Sequence, residues 1–551
     1  MPVISVDPEQ LVEMTDTDQF ELLETLPKLG IEIEKMTDES WDLEIFPDRC
    51  DNLSVEGLSR TVKGFLGKET GIPDYEVKTT DIKTHVELSV QEVRPYIVTA
   101  VVKNVQLTEE LLKSLMDVQE KLHMTLGRKR EKVAIGIHDL DKVQPPFTYK
   151  AVSPSDVSFI PLQRSHEMNL QEILEKHEKG KEYAHILEDY DRYPIILDSN
   201  DEVLSFPPVI NGVLTEVTED TQNIFIDMTG TDEEILIQTL NILCTLFADR
   251  GGELYSSKVI YGKQEKIYPS LDIDSVHISS QEVKDVLGVN LDDNNIIDIL
   301  ARMRYDTTIN EDRLEVKIPP YRHDIHHPWD IIEDIAIGHG LDKFEGESPK
   351  DFVVGQPLKN NKIINAVVET LLGHGFQEVV NFTLSNPKRE YDYMGLKENS
   401  DMAMIENPVT EEHTGLRIRL LPTLLYNLRS NRNKSLPQKL FEVGDVVESS
   451  EQYTRAGGVM IHSETGFTEI KSLIEGVAVN LGLDMDIESK EHDSFIEGRC
   501  ASINVKGMEI GYFGEIHPKV LENFELVYPT TGFELDIDKL SELKSESERL
   551  V

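Results

Sequence analysis

Residues 319–334 read Pro-Pro-Tyr-Arg-His-Asp-Ile-His-His-Pro-Trp-Asp-Ile-Ile-Glu-Asp. Four carboxylates fall in this stretch, those of Asp324, Asp330, Glu333 and Asp334. Pro328 predicts the start of a helix, since its fixed φ suits the first turn and its missing N–H costs nothing there. We therefore expect a helix over about 328–337.

That helix would place three of the carboxylates on one face. Asp330, Glu333 and Asp334 lie at i, i+3 and i+4, and side chains with this spacing are neighbours on a helix surface. Asp324 lies in the extended segment just before the helix and can fold back toward this face. Four carboxylates without a basic neighbour on the face are typical of a site for a hard divalent cation such as Mg²⁺.

Two other interpretations of the stretch stay open. Acidic residues in the first turn of a helix complement the helix dipole and need no metal. His323, His326 and His327 raise the question of zinc, but their spacing fits no usual zinc pattern and carboxylate oxygens favour Mg²⁺.

Composition narrows the class of protein. The chain has 551 residues and a net charge of −47, so it repels nucleic acid at long range and any RNA contact must be local or supplied mainly by a partner. It contains no apolar run of about 18 residues and no secretory signal pattern, which predicts that it does not enter a membrane. Cys50, Cys244 and Cys500 form no CxxC pair, which indicates a reducing cytoplasm and argues against a thiolate zinc site.

Hydrophobic patterns divide the chain into four predicted domains, so the expected fold class is multidomain α+β. The domains are an N-terminal α/β domain at 1–75, a mixed α/β domain at 85–262, a small winged-helix-like domain at 268–345 and a domain with an antiparallel sheet at 355–545. Strands are predicted at 132–138, 223–229 and 377–384, and an amphipathic helix at 361–372. Thr231 and Glu234 predict a capping box for the helix after the second of these strands.

Five blocks of sequence carry a resemblance to a known family. They are Pro-Asp-Arg-Cys-Asp-Asn-Leu-Ser-Val-Glu-Gly at 47–57, Leu-Gly-Arg-Lys-Arg-Glu-Lys-Val-Ala-Ile-Gly-Ile-His-Asp-Leu-Asp at 126–141, Phe-Pro-Pro-Val-Ile-Asn-Gly at 206–212 with Asn-Ile-Phe-Ile-Asp-Met-Thr-Gly-Thr-Asp at 223–232, Ile-Pro-Pro-Tyr-Arg-His-Asp-Ile at 318–325 with Glu-Asp at 333–334, and Lys-Leu-Phe-Glu-Val-Gly-Asp-Val at 439–446. In this order, over nearly the whole chain, they resemble the phenylalanine–tRNA ligase beta subunit in its shorter, archaeal and eukaryotic form.

The resemblance implies a cytoplasmic (αβ)₂ enzyme that joins phenylalanine to its tRNA using ATP and Mg²⁺. The alpha subunit of such an enzyme carries the synthetic site. The beta subunit supplies a catalytic-like fold, an editing hydrolase domain and a small domain with magnesium ligands, which fall here on Asp324, Asp330, Glu333 and Asp334. The end of the chain is expected to lack the C-terminal anticodon-binding domain of the bacterial form.

The predicted domain at 355–545 resembles the class II synthetase fold but lacks a cation that activation of an amino acid needs. No arginine occurs between Arg499 and Arg549, and the strand at 533–538 is acidic and would repel a triphosphate. We therefore expect a catalytically inactive copy of that fold, whose helix at 361–372 serves as an interface with the alpha subunit.

The editing site is predicted on the strand at 223–229. Asp227 and Thr229 share a face about 7 Å apart, so both can line one pocket and either orient a water onto the ester of a mischarged tRNA or hold the tyrosine hydroxyl. Ser205 and His138 are further candidates. A polar strand face followed by a helix cap is the structural alternative.

The run Arg-Lys-Arg-Glu-Lys at 128–132 is the densest positive patch of this acidic chain. It is either a set of phosphate contacts to tRNA or a solvated turn after the helix at 111–126.

Three functions remain in competition. The first is the ligase subunit with an editing domain; the others are a stand-alone trans-editing hydrolase of mischarged tRNA and a structural RNA-associated protein. The interface-type helix favours the first over the second, and Asp227 with Thr229 favours either of them over the third.

Overall fold

A computed structural model describes residues 2–310, 313–346, 348 and 354–548. The chain divides into two compact units, Met1–Glu347 and Ser348–Val551. The first three predicted domains lie within the first unit and the fourth within the second; the finer division stays a prediction. Among the described residues no helix is both long and apolar enough to cross a membrane.

The first unit contains both strands and helices. Its strands are β1 (Val3–Val6), β2 (Glu32–Met36), β3 (Trp41–Glu44), β4 (Val77–Val86), β5 (Tyr96–Lys103), β6 (Val133–Asp139), β7 (Phe147–Val152), β8 (Ser158–Phe159), β9 (Met168–Asn169), β10 (Tyr193–Leu197), β11 (Val203–Phe206), β12 (Ile210–Asn211), β13 (Ile224–Gly230), β14 (Glu253–Tyr261), β15 (Gln264–Tyr268), β16 (Asp274–Ile278), β17 (Asp306–Asn310) and β18 (Arg313–Ile318). Its helices are α1 (Pro8–Thr15), α2 (Gln19–Thr25), α3 (Val55–Phe65), α4 (Glu109–Met124), α5 (Leu170–Lys176), α6 (Glu178–Tyr183), α7 (Glu233–Asp249), α8 (Ser280–Leu287), α9 (Asp293–Arg302) and α10 (Pro328–His339).

A large mixed sheet dominates the first unit. Its described strands run in the order β12-β11-β10-β7-β4-β14-β5-β13-β6, with β15 paired to β14. The predicted strand at 223–229 is β13, which pairs antiparallel with β5 and β6 and is buried along its whole length. Helix α7 follows it, but the predicted capping box is wrong, because Asp232 rather than Thr231 caps the helix by accepting from the N–H of Ile235.

Helix α10 confirms the predicted helix start at Pro328. The side chain of His327 accepts from the N–H of Trp329, and Asp330 reaches back to the backbone N–H groups before the helix. Its apolar side packs with α8, α9 and the small antiparallel sheet β16-β18-β17, where Ile331, Ile332 and Ile335 are fully buried.

The second unit is a sheet with helices on both faces. Its helices are α11 (Lys359–Gly373), α12 (Leu421–Ser430), α13 (Phe467–Leu481), α14 (Pro518–Asn523) and α15 (Ile537–Glu548). Its strands are β19 (Gln377–Glu378), β20 (Leu384–Ser385), β21 (Gly415–Leu416), β22 (Gln438–Glu448), β23 (Glu451–Ile461), β24 (Asp486–Ser489), β25 (Phe495–Val505), β26 (Met508–Ile516) and β27 (Thr530–Asp536).

The sheet order in this unit is β19-β22-β23-β27-β26-β25-β24, antiparallel except for the β19–β22 pair. Helices α11, α13 and α15 share one apolar core with strand residues such as Phe441, and α12 and α14 share another with residues such as Val459. The predicted helix at 361–372 is α11. The predicted strand at 377–384 is wrong, since only its ends are paired, in β19 and β20.

Candidate functional site

The candidate site is built on β13, between β5 and β6. Every residue of β13 is buried, so a carboxylate on this strand needs partners. Asp227, only 1% exposed, lies opposite Thr99 of β5 and Gly136 of β6. A Cβ on Gly136 would lie 2.2 Å from Asp227 Oδ2, so this position must be glycine for the carboxylate to occupy its place.

His138 of β6 is the partner of Asp227. Its Nε2 lies 2.6 Å from Asp227 Oδ2, and its Nδ1 lies 2.8 Å from the hydroxyl of Thr215. Thr215 ends a short 3₁₀ turn, Val213–Thr215, that follows β12. A buried row of three polar side chains therefore joins β6, β13 and this turn.

A cavity of about 310 Å³ opens beside the row. Its walls are largely apolar and include Leu112, Leu115, Met116, Ile135, Phe206 and Val209. Ser205, Asp227 and Thr215 also line it. The hydroxyl of Ser205 is buried and has no hydrogen-bond partner among the described residues.

The cavity has a closed end and a mouth. The side chain of Asp227 is 2% exposed, whereas those of Lys179 and Glu120, which line the same cavity, are 37% and 44% exposed. Apolar walls with a few polar groups at one end are typical of a small-molecule pocket.

Charged side chains surround the mouth. Arg130 donates to the carbonyl of Val209 at 3.0 Å and lies 3.3 Å from Glu120 Oε2. The pKa of Glu120 is lowered to about 2. The largest cause is His123, whose Nδ1 lies 3.7 Å from Glu120 Oε2, and the positive charge of Arg130 adds to it. Glu120 is therefore ionised at neutral pH, and its charge holds Arg130 in place.

Thr229 does not line the cavity, although it shares a face of β13 with Asp227. Its hydroxyl accepts from Nε of Arg94 at 3.0 Å, and its carbonyl accepts from Nη2 of the same residue at 2.7 Å. The structure thus places Asp227, Ser205 and His138 together and sets Thr229 beside a buried arginine.

Arg94 also holds the basic turn, residues 128–130. It donates to the carbonyls of Arg130 and Glu131, both at 3.0 Å, and forms no ion pair among the described residues. Burial lowers the pKa of Arg94 to about 10. Arg128, Lys129 and Arg130 have φ of 44°, 54° and 68°, a left-handed conformation that costs energy in residues other than glycine. The side chains of Arg128 and Lys129 are exposed.

The predicted carboxylate face contains a basic neighbour after all. Arg322 donates to both oxygens of Asp324, at 2.8 and 2.6 Å, and its Nη1 lies 2.8 Å from Asp334 Oδ2. Asp334 Oδ2 also accepts from the hydroxyl of Tyr305. The expectation of a face without a basic residue is therefore wrong, because Arg322 turns back onto the helix.

The remaining two carboxylates lie nearer the surface. Asp330 accepts from the N–H groups of His326 and His327, at 2.8 and 2.7 Å, while Glu333 is exposed. Partial burial and then Asp334, followed by other carboxylates nearby, raise the pKa of Glu333. Carboxylate oxygens suit Mg²⁺.

Among the residues the structure describes, no group of three or more His, Cys, Asp or Glu is placed to hold a metal. Two of the four predicted ligands are bonded to Arg322. The full set of four does not fit a cation in this arrangement of the chain, and the ligand assignment stays a prediction.

Comparisons with known proteins place these sites in a family. In chain order, residues 95–244 match the B3/4 domain, 276–341 the tRNA synthetase B5 domain and 347–537 the phenylalanyl tRNA synthetase beta chain CLM domain. The chain is 44% identical over 539 residues to the phenylalanine–tRNA ligase beta subunit of Archaeoglobus fulgidus, covering 98% of each. The chain belongs to the phenylalanine–tRNA ligase beta subunit family.

Another member and a solved structure support the same family assignment. The beta subunit of Methanocaldococcus jannaschii is 44% identical over 98% of this chain and 100% of its own length. The crystal structure of an N-terminal fragment of the phenylalanyl-tRNA synthetase beta subunit from Pyrococcus horikoshii covers 61% of this chain and 99% of the fragment, with 37% identity and a TM-score of 0.60. The predicted resemblance is confirmed, as is a mixed α/β multidomain fold.

In this phenylalanine–tRNA ligase family the B3/4 domain is the editing domain, and the chain is a subunit of an aminoacyl-tRNA ligase. Asp227, His138, Ser205 and Thr215 all fall within the residues matched by B3/4, and the carboxylate helix falls within B5.

The sequence patterns did not reveal two buried residues at or beside the candidate site of this beta-subunit family member, Thr215 and Arg94. Thr215 follows the Phe-Pro-Pro-Val-Ile-Asn-Gly block by three positions, which is a weak signal. No pattern in the sequence marks Arg94.

Proposed function

We propose that this chain is the beta subunit of a phenylalanine–tRNA ligase and that its B3/4 cavity removes tyrosine from mischarged tRNA. The observation that carries the proposal is the buried Asp227–His138 pair beside the unpartnered hydroxyl of Ser205, at the closed end of an otherwise apolar cavity.

The depth of this pair indicates what it binds. An aminoacyl ester is attached to the terminal ribose of tRNA, and this ribose stays linked to the rest of the tRNA, which lies outside the cavity. The amino-acid side chain must therefore enter first and leave the ester near the mouth. In tyrosine the atom that travels deepest is the phenolic oxygen, so Asp227 and Ser205 meet that hydroxyl rather than the hydrolytic water.

This placement gives a reason why the correct product would be spared. The phenolic O–H of tyrosine donates to Asp227 and also contacts the hydroxyl of Ser205. Phenylalanine brings no hydroxyl, so both buried groups would lose water without gaining a partner. Sites built to hydrogen-bond a hydroxyl discriminate strongly against analogues that lack it.

The basic turn lies next to the mouth and suits the tRNA backbone. Arg130 lines the cavity, and the adjacent Arg128 and Lys129 are exposed in a chain with a net charge of −47. Arg94 holds their left-handed backbone in place by donating to the carbonyl of Arg130. We infer that Arg128 and Lys129 contact phosphates of the bound tRNA.

The second unit and the B5 helix would serve the assembled enzyme. The second unit would be a catalytically inactive class II-type domain that pairs with an alpha subunit in a cytoplasmic (αβ)₂ enzyme, with ATP as the alpha subunit's substrate. In support, Glu534 of β27 is buried and accepts from Arg455, so this strand presents an ion pair where a triphosphate would need free cations.

The B5 helix would hold Mg²⁺ through Asp330 and Glu333, with Asp324 and Asp334 contributing only if Arg322 releases them. When bound, the ion would supply structural cross-linking of these carboxylates.

Deacylation of tyrosyl-tRNA and phenylalanyl-tRNA by the assembled enzyme tests the editing proposal. Asp227→Ala should slow tyrosyl-tRNA deacylation at least about tenfold, because it removes the acceptor for the phenolic hydroxyl. Asp156→Ala, at an exposed position of the same domain, is the matched control. An unchanged rate in Asp227→Ala would remove this residue from the site.

Phenylalanine-dependent ATP–pyrophosphate exchange separates the ligase from the stand-alone trans-editing hydrolase. We expect no exchange by the isolated chain and full exchange with the alpha subunit present. Exchange by the chain alone would refute the inactive second unit, and none with the partner would refute the ligase subunit.

A further inference from the structure

Thr215 is the third member of the buried polar row, beside Asp227 and His138. It is 1% exposed and lines the cavity. Its hydroxyl lies 2.8 Å from Nδ1 of His138 and 3.4 Å from each of two carbonyl oxygens, those of Leu204 and Gly212. The short contact is therefore the one to the imidazole.

For a neutral imidazole, the protons of this row follow from its chemistry. A neutral imidazole has one N–H and one lone pair, and a carboxylate only accepts. Nε2 of His138, 2.6 Å from the carboxylate of Asp227, must then carry the hydrogen. Nδ1 is left as an acceptor, and the hydroxyl of Thr215 is the donor beside it.

We propose that Thr215 is a positioning residue that fixes the orientation of the His138 ring and thereby holds the Asp227 carboxylate toward the cavity. The inference rests on the proposed editing function. Without this hydroxyl, Nδ1 would be a buried acceptor with no donor, and the ring would lose one of the two contacts that fix its orientation. The N–H at Nε2 would then be aimed less well at Asp227, and the acceptor for the phenolic hydroxyl would lose its fixed position in the cavity.

Loss of the Thr215 hydroxyl should change the selectivity between tyrosyl-tRNA and phenylalanyl-tRNA rather than reduce hydrolysis of both. Tyrosyl-tRNA uses Asp227, whereas phenylalanyl-tRNA has no hydroxyl to present to it. A merely structural role for Thr215 would slow the deacylation of both substrates alike. The ratio of the two kcat/KM values therefore separates positioning from folding.

The test uses Thr215→Val, which keeps the shape of the side chain and removes the hydroxyl, in the enzyme assembled with its alpha subunit. Single-turnover deacylation should show the ratio of kcat/KM for tyrosyl-tRNA over phenylalanyl-tRNA reduced about tenfold. Thr215→Ser, which keeps the donor, should stay within about twofold of wild type. Thr245→Val removes a buried hydroxyl that donates to the carbonyl of Ile242, and should leave the ratio unchanged.

Several outcomes would overturn the inference. It fails if Thr215→Val keeps the wild-type ratio, if it slows both substrates equally, or if Thr215→Ser is impaired as much as Thr215→Val. Thr215→Ala is measured as well. If the valine variant does not fold, the alanine variant takes its place in the comparison with Thr215→Ser. A wild-type enzyme that does not deacylate tyrosyl-tRNA would refute the proposed function itself, which is a separate result.

Discussion

Glu390 shows how burial changes the pKa of one carboxyl group, although the nearby charge of Arg419 opposes the change. It is fully buried in the second unit, where Oε1 accepts from the Ser385 hydroxyl at 2.8 Å and Oε2 from the N–H of Ile418 at 3.4 Å. Burial raises its pKa from 4.5 to about 7. The folded state therefore binds a proton that the unfolded chain releases, and stability is lost as pH rises from about 4.5 to about 7.

Glu390→Gln should remove this pH-dependent loss. The variant should be more stable than wild type at pH 8, by up to about 3 kcal/mol. It should be close to wild type at pH 4.5, because the carboxyl is then protonated in the folded state and half protonated in the unfolded chain. Thermal midpoints of the full chain at the two pH values measure the difference. Glu406→Gln, at an exposed position, should shift both midpoints equally. A Glu390→Gln variant whose advantage is the same at both pH values would contradict the prediction.

The basic turn at 128–130 is proposed to bind tRNA as a unit. Its charges are held in a defined conformation by the hydrogen bonds from Arg94. Arg128→Gln with Lys129→Gln should raise the KM for tyrosyl-tRNA and leave kcat unchanged, because phosphate contacts position the substrate and take no part in the chemistry. The slope of log(kcat/KM) against log[salt] should fall by about 1 to 2. Lys263→Gln with Lys506→Gln, two exposed lysines elsewhere, removes the same charge as a control. Equal effects of the two double variants would show that only net charge matters.

How far sequence predicts structure also differs from element to element. Alternation in β13 predicted the strand and which side chains share a face, because the period of a strand is local information. The predicted strand at 377–384 was wrong, since pairing depends on a neighbour that hydropathy does not reveal. The Thr215–His138 contact joins residues 77 positions apart, and only the folded sheet brings them together. Arg322 lies close to these carboxylates in the sequence, but their spacing did not predict that its side chain would turn back onto α10.

The strong negative charge of the chain makes the placement of each cation matter. In the B5 region the carboxylates have two possible neutralising partners, Arg322 and Mg²⁺. Asp330→Ala with Glu333→Ala should lower the magnesium retained by the assembled enzyme after gel filtration, measured by elemental analysis. Asp285→Ala with Asp298→Ala removes two acids outside this face of the same domain as a control. Unchanged magnesium in the first double variant would refute the site.

Arg322 rather than the metal should hold this region of the fold together. Its guanidinium is buried and pairs with Asp324 and Asp334, so Arg322→Met leaves two carboxylates without their cation. Breaking a buried pair in this way costs about 3–5 kcal/mol, and the thermal midpoint of the chain should fall by several degrees. Removal of divalent ions with EDTA should change that midpoint little, because Arg322 stays in place. Arg313→Met, which breaks a half-exposed pair with Glu282, is the matched control. If EDTA destabilises the chain as much as Arg322→Met does, then the ion and not the arginine neutralises these carboxylates.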